Sequence, residues 1–274
     1  MEQQAPAKHT RILCFTVRME GADAALGSAS RASSGTGMIP RAIMQVFANT
    51  QLLSEAGWNF TMRCEYVEIY NEQIRDLLGD AGDSSNKKHE IKHDSVRCTT
   101  SITDVRSVVV ESVDAVFGLL RRANSNRSVA ATNCNERSSR SHSVFRLSIH
   151  GTNAGTLETL ESTLNLIDLA GSERLSQSQS SGDRLKETRA INKSLSSLGD
   201  VVFALSMKDS HIPYRNSKLT YLLQHSLGGS SKVLMFVNVS PAASTAQETL
   251  CSLRFATKVN SCEIGTAKRG VVCK

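Results

Sequence analysis

No two cysteines of this sequence stand in a C-x-x-C pair, and its seven cysteines (14, 64, 98, 134, 251, 262 and 273) are scattered and odd in number. That pattern suggests neither a zinc knuckle nor a disulfide framework, and fits a reducing, intracellular setting. No run of 18 apolar residues occurs, and the N-terminus lacks the apolar stretch of a secretory signal. A membrane-spanning helix and export are therefore not expected, and the chain reads as soluble and cytosolic or nuclear. No G-x-x-x-x-G-K-[ST] string is present, so the usual glycine-rich phosphate cradle is missing. The two nearest candidates fail. Gly265 and Gly270 are followed by Val271 and Val272 instead of Lys and Ser or Thr, and Lys232 after Gly228-Gly229 opens a strand instead of a helix. The sequence also lacks an N-K-x-D string for base recognition, an internal repeat, heptads in residues 1–20, and any aromatic-rich basic strand.

What is present begins with charge. A formal net charge of +6 and a pI near 9.0 favour a polyanionic partner without saying which one. Residues 1–37 hold one apolar stretch, Arg11 to Val17, and then an Ala/Gly/Ser-rich run to Gly37, read as one strand and a flexible loop. Pro40, with Ile43 and Phe47 four apart, marks a helix. Trp58, Phe60, Met62, Cys64 and Tyr66 alternate with polar residues as a half-buried strand does, and Glu68–Leu78 is read as turning into a short helical segment. Residues 79–90 are a solvated loop by composition, with short strands at 89–92, 96–98 and 105–110. Ser112 caps a helix carrying Val113, Val116, Phe117 and Leu120.

Ser143–His150 and Thr163–Leu169 read as a hairpin of buried strands. Helices follow at 194–207, 216–227 and 247–260, and the apolar run 232–239 reads as a strand buried on both faces. Strands alternating with helices imply an α/β sandwich around a central sheet.

Two segments carry the chemistry. Asn135-Glu-Arg-Ser-Ser-Arg-Ser-His142 precedes a strand, and Asp168-Leu-Ala-Gly-Ser-Glu173 follows one. A strand that ends in Asp and runs into a glycine turn places a carboxylate where it can hold Mg²⁺ through water. The glycine then lets a backbone N–H approach a phosphate. Alone, D-x-x-G is weak, and the bland reading of either segment is a serine-rich turn or a structural Asp–Gly turn.

Together the segments resemble the switch I and switch II motifs of the kinesin motor family. Chance would produce the six fixed positions of the first motif on the order of once in 10⁷ placements or fewer. The resemblance extends through Tyr66–Glu72, Asn192–Leu198, His211–Thr220 and Asn238–Pro241, and covers nearly everything from Gly37 to Arg269. It implies a kinesin-like P-loop NTPase sandwich with a mixed central sheet flanked by helices. That sandwich is incomplete, because the first strands and the P-loop strand are missing or replaced. By the same resemblance residues 1–37 form a divergent N-terminal segment, 38–269 a partial motor domain and 270–274 a tail.

The resemblance also implies roles. Ser141 would offer its hydroxyl to Mg²⁺, Asp168 would be the magnesium carboxylate acting through water, and Ser138 and Ser139 would line the γ-phosphate and attacking water. Arg140 and Glu173 would form a gate between the switches, and Asn135, His142 and Gly171 would complete the nucleotide-binding set, with ATP and Mg²⁺ as cofactors. The helices at 194–207 and 216–227 would form the microtubule-binding face, with Lys193, Lys208, His211, Arg215 and Lys218 turned to acidic tubulin. Exposed Lys and Arg on helices are otherwise an ordinary solvated face.

The ending Lys258–Arg269 resembles the C-terminal-motor class, whose members typically move toward microtubule minus ends in the cytoplasmic microtubule cytoskeleton, the spindle included. The departure lies upstream of Gly37. Residues 11–20 resemble a remnant of a first strand, and Phe15–Gly21 equally resembles the stretch just after a P-loop. Without the phosphate cradle ATP turnover is expected to be lost, and without the P-loop strand two sheet edges are expected to be exposed. The alternative is a non-catalytic microtubule-binding module acting with an intact motor subunit. Neither nucleic acid nor membrane is an expected partner.

Overall fold

Alternation of apolar and polar residues over two long segments builds the centre of the molecule. In the computed structural model, which describes residues 9–14, 37–80, 88–130, 137–171, 183–228, 231–262 and 272–273, these segments are part of one mixed sheet. Its strands, in chain order, are β1 (His9–Cys14), β2 (Trp58–Tyr70), β3 (Gln73–Asp76), a separate small hairpin of β4 (Ile91–Asp94) and β5 (Thr99–Ile102), and then β6 (Val108–Val109), β7 (His142–Asn153), β8 (Glu158–Asp168) and β9 (Lys232–Met235). The helices are α1 (Met38–Glu55), α2 (Val113–Ala130), α3 (Asp183–Ser206), α4 (Lys218–Leu222) and α5 (Ala246–Asn260).

The main sheet runs β3-β2-β7-β8-β1-β9, with β6 added against β2 and Val272–Cys273 against β8. β2, β7 and β8 are antiparallel neighbours, with Tyr66 opposite Phe145 and Ser143 opposite Asp168. β1 runs parallel to both its neighbours, with Cys14 paired to Ile167 on one side and Met235 on the other.

The two-residue period of a strand sends successive side chains to opposite faces, and the core divides accordingly. Cys64, Tyr66, Phe145, Leu147, Leu164 and Leu166 face Ile39 and Ile43 of α1 and Val116, Phe117 and Leu120 of α2. Val67, Ile69, Val144 and Ile167 face Leu198, Val201 and Val202 of α3 and Leu219 and Leu222 of α4. Each fully buried Leu, Ile or Phe contributes about 1.5–3 kcal/mol relative to an exposed one, so both layers matter to stability. Ser112 caps α2 as its sequence position suggests, accepting the Ala115 N–H at 3.2 Å.

Five expectations are corrected. Residues 68–78 contain no helix. β2 runs on to Tyr70, turns at Asn71 and Glu72, both with positive φ (50° and 59°), and returns as β3. Two consecutive left-handed residues match the twist of a tight hairpin, so turn geometry overrides a weak helical pattern. The long helix α3 starts at Asp183, eleven residues before the expected 194, because its first turns are polar and show no apolar period. The helix expected at 216–227 is the short α4, continued by turns.

The fourth correction concerns the sheet. No pair of bare edges flanks a missing strand, because β1 lies between β8 and β9 and pairs with both. β9 is in turn not buried on both faces. It stands at the end of the strand order, and Leu234 is 53 % exposed.

Candidate functional site

The two motif segments meet at the carboxyl end of β8. Asp168 is the last residue of β8 and lies opposite Ser143, at the start of β7. Beyond the ladder, the Gly171 N–H donates to the Ser139 carbonyl at 2.8 Å, and the Ala170 N–H donates to Nδ1 of His142 at 3.0 Å. A short 3₁₀ turn, Arg137–Arg140, delivers the first segment into this contact.

His142 is the hub. It is 3 % exposed, and burial in a poorly solvating environment pushes its pKa down to about 4. The imidazole is therefore neutral near pH 7. Because Nδ1 accepts from Ala170, the proton sits on Nε2, which donates to Ser194 Oγ at 2.7 Å, and that hydroxyl donates to the Ile191 carbonyl at 2.8 Å. The relay ties the turn after β8, the start of β7 and the middle of α3 into one polarised chain. Arg140 adds a second tie to the same helix, with Nη1 at 3.2 Å from Glu187 Oε2. The pair is only 22 % and 11 % exposed, so solvent screens it less than a surface bridge. Glu187 was not singled out from the sequence because it lies in the polar first turns of α3.

Ser141 is fully buried. Its hydroxyl donates to Glu68 Oε1 of β2 at 2.7 Å and accepts from Arg127 Nη2 of α2 at 3.1 Å, while Arg127 Nε lies 3.5 Å from the same carboxylate oxygen. Neither Glu68 nor Arg127 was expected at the site, since each is far from Ser141 in sequence.

This arrangement tests the fit of magnesium and nucleotide. Mg²⁺ characteristically takes one or two carboxylates plus substrate phosphates and waters. Asp168, half-buried at its strand end, is a suitable carboxylate. The hydroxyl of Ser141 and the N–H of Gly171, however, are already committed inside the protein. Among the described residues no three His, Cys, Asp or Glu side chains cluster as a metal site. The string that would cradle the phosphates is absent from the sequence.

Ser139 is half-buried in the 3₁₀ turn, and Ser138 belongs to the same turn. Asn135 and Glu173 lie outside the described residues, and with them the Arg140–Glu173 gate.

The cations expected on the partner face sit on one continuous stretch of chain. Lys193 on α3, Lys208 in the left-handed conformation just after it, His211 and Arg215 are exposed, and Lys218 at the start of α4 is half-buried. α4 is firmly set. Ser217 and Thr220 form a reciprocal capping box, and the Lys218 N–H donates to Glu72 Oε2 at 2.9 Å. Arg215 lies over the Tyr221 ring at 5.9 Å.

The β4–β5 hairpin packs against this face through His93, a contact with no signal in local sequence. The His93 ring meets Tyr221 edge-on at 4.4 Å and His225 at 5.1 Å between centroids, and its Nδ1 is 3.1 Å from Thr100 Oγ1. No helix among the described residues is long and apolar enough to cross a membrane.

Comparison with known proteins agrees with this geometry. Residues 15–262 match the family described as Kinesin motor domain. The chain is 59 % identical over 245 residues to the kinesin-like protein klpA of Emericella nidulans, covering 89 % of this chain and 32 % of klpA. It thus spans about a third of the length of the curated relatives it matches. Among solved structures it resembles the motor domain of the kinesin-related protein Kar3 of Saccharomyces cerevisiae, with 48 % identity and a TM-score of 0.75, covering 93 % of this chain and 75 % of that one. It also resembles the C-terminal motor and motor homology domain of Kar3Vik1 fused to a synthetic heterodimeric coiled coil, with 48 % identity and a TM-score of 0.78, covering 93 % and 64 %.

Proposed function

The chain belongs to the kinesin motor-domain family, and from that premise we propose that it is a microtubule-binding module of the C-terminal-motor, minus-end-directed class, with ATP binding weak and turnover negligible in this chain by itself. The observation that carries the reading is the relay from Ala170 through His142 to Ser194. It joins both switch segments to α3, the helix that presents Lys193 to the partner. In a working motor such a relay would let the state of the switch segments bias the position of the binding helix. Here the Ser141 hydroxyl and the Gly171 N–H are satisfied internally and no phosphate cradle is present in the sequence. What remains is the binding face, which acts in the cytoplasm on the microtubule cytoskeleton.

The residues hold the two switch segments together through backbone donors, keep a neutral imidazole between them, and fix α4 through Ser217 and Glu72. Removal of even one positioned donor in phosphoryl transfer commonly costs about 10²–10³ in rate, and a whole cradle costs more. The expected result is that a fluorescent ATP analogue does not bind at micromolar concentration. Saturable micromolar binding would overturn that half of the reading.

Microtubule co-sedimentation tests the other half. Binding should weaken as salt rises, should not respond to ATP, and should fall several-fold when Arg215 and Lys218 are both replaced by alanine. Salt-insensitive binding, or binding unchanged in the double variant, would remove this face from consideration. A second reading, that the chain works beside an intact motor subunit, is favoured by its likeness to the Kar3Vik1 assembly, which combines a motor with a motor homology domain.

A further inference from the structure

The contact between the β4–β5 hairpin and the α4 side is built around two imidazoles, those of His93 and His225. His93 projects from β4 onto Tyr221 and His225, with ring centroids 4.4 and 5.1 Å away. Its Nε2 is shielded from solvent and makes no full hydrogen bond. From the α4 side it faces His225, the Tyr221 ring and backbone, and Arg215, whose guanidinium lies over the same Tyr221 ring. From its own hairpin it faces Thr100, while Asp94 next to it is occupied with the Val96 and Arg97 N–H groups. From the sheet, Arg146 of β7 donates to the Thr100 carbonyl at 3.0 Å, and its charge is paired with Glu65 at 3.3 Å.

A proton on His93 thus enters a space with a second imidazole and a fixed guanidinium, and no unoccupied carboxylate answers it among these neighbours. Burial first, then His225 and Arg215, hold His93 below its ordinary range, and the Tyr221 backbone opposes them only in part. The sign is fixed by that direction. A group depressed when docked favours docking above its free value and withdraws that support as pH falls through the docked value.

We propose that the His93–His225 pair is a pH-sensitive latch: protonation releases the β4–β5 hairpin from α4 and so alters the face that carries Arg215 and Lys218. The hairpin itself displays Lys92 and Arg97 to solvent, so its release moves two further cations relative to that face. The consequence for microtubule affinity rests on the function proposed above. The latch itself does not.

Hydrogen exchange on the whole chain separates the two. After correction for intrinsic exchange rates, amide protection in residues 89–103 should fall about tenfold between pH 7.5 and 5.5 in the wild type. It should stay flat in His93→Phe, which keeps a ring against Tyr221 and cannot titrate, and should change less in His225→Gln. Protection that is flat in the wild type, or that falls equally in both variants, overturns the latch. If the hairpin opens while microtubule co-sedimentation over the same pH range is identical in wild type and His93→Phe, the latch stands and its link to the partner face fails.

Discussion

Replacing Ile12 with proline is expected to destabilise the protein by about 3 kcal/mol or more and to promote association of the unfolded material. Ile12 lies inside β1, opposite Asn165 of β8 and Val233 of β9, so β1 is flanked by a partner on each side. Proline removes one ladder N–H and places a ring where a neighbouring strand must approach, and no edge is available to receive it. Loss of β1 would separate β9 from the rest of the sheet and leave the edge of β8 bare, which is a template for intermolecular pairing. Urea denaturation followed by circular dichroism, with light scattering in parallel, measures both effects. An unchanged midpoint with a monodisperse sample would mean that β1 is not integral to the sheet.

The second large effect concerns His142. Replacing it with alanine removes the acceptor for the Ala170 N–H and the donor to Ser194, and leaves a cavity in a buried site. The combined cost should be about 2–4 kcal/mol. A purely steric role would give no pH signature, whereas the imidazole should. Its pKa in the folded protein, about 4, lies below the ordinary 6.5, so the unfolded chain takes up a proton while the folded one does not. The stabilisation linked to this group is complete above about pH 6.5 and is lost as pH falls toward 4, an effect of about 3 kcal/mol. The unfolding free energy of the wild type should therefore decline more steeply over that interval than that of His142→Ala. Parallel declines would show that the imidazole is not held neutral by its surroundings.

Much of this was legible in the sequence because it is encoded at short range. The β7–β8 hairpin is announced by its alternation, α2 by Ser112 and its apolar period, and the two switch segments by fixed residues within a few positions of one another. The illegible parts are non-local. Glu68 and Arg127 reach Ser141 across 73 and 14 residues, and no pattern in either neighbourhood signals a partner. Glu187 sits in a stretch of α3 whose polar composition hides the helix itself. β3 was hidden because Asn71 and Glu72 adopt left-handed backbone without a glycine to mark the turn. The place of β1 depends on which strand edges compete for it, and six residues cannot report that. The assignments of Asn135 and Glu173 lie outside the described residues.

Near the end of β2 Glu68 holds the Ser141 hydroxyl, and four residues later, past the end of the strand, Glu72 grips the first amide of α4. A load applied to α4 from outside would thus reach the serine through the turn at Asn71 and Glu72 and the end of β2, by a route that bypasses α3 altogether. Mechanical tension and the His142 relay would then reach the same loop from two directions, and a load could be sensed there even with the relay cut.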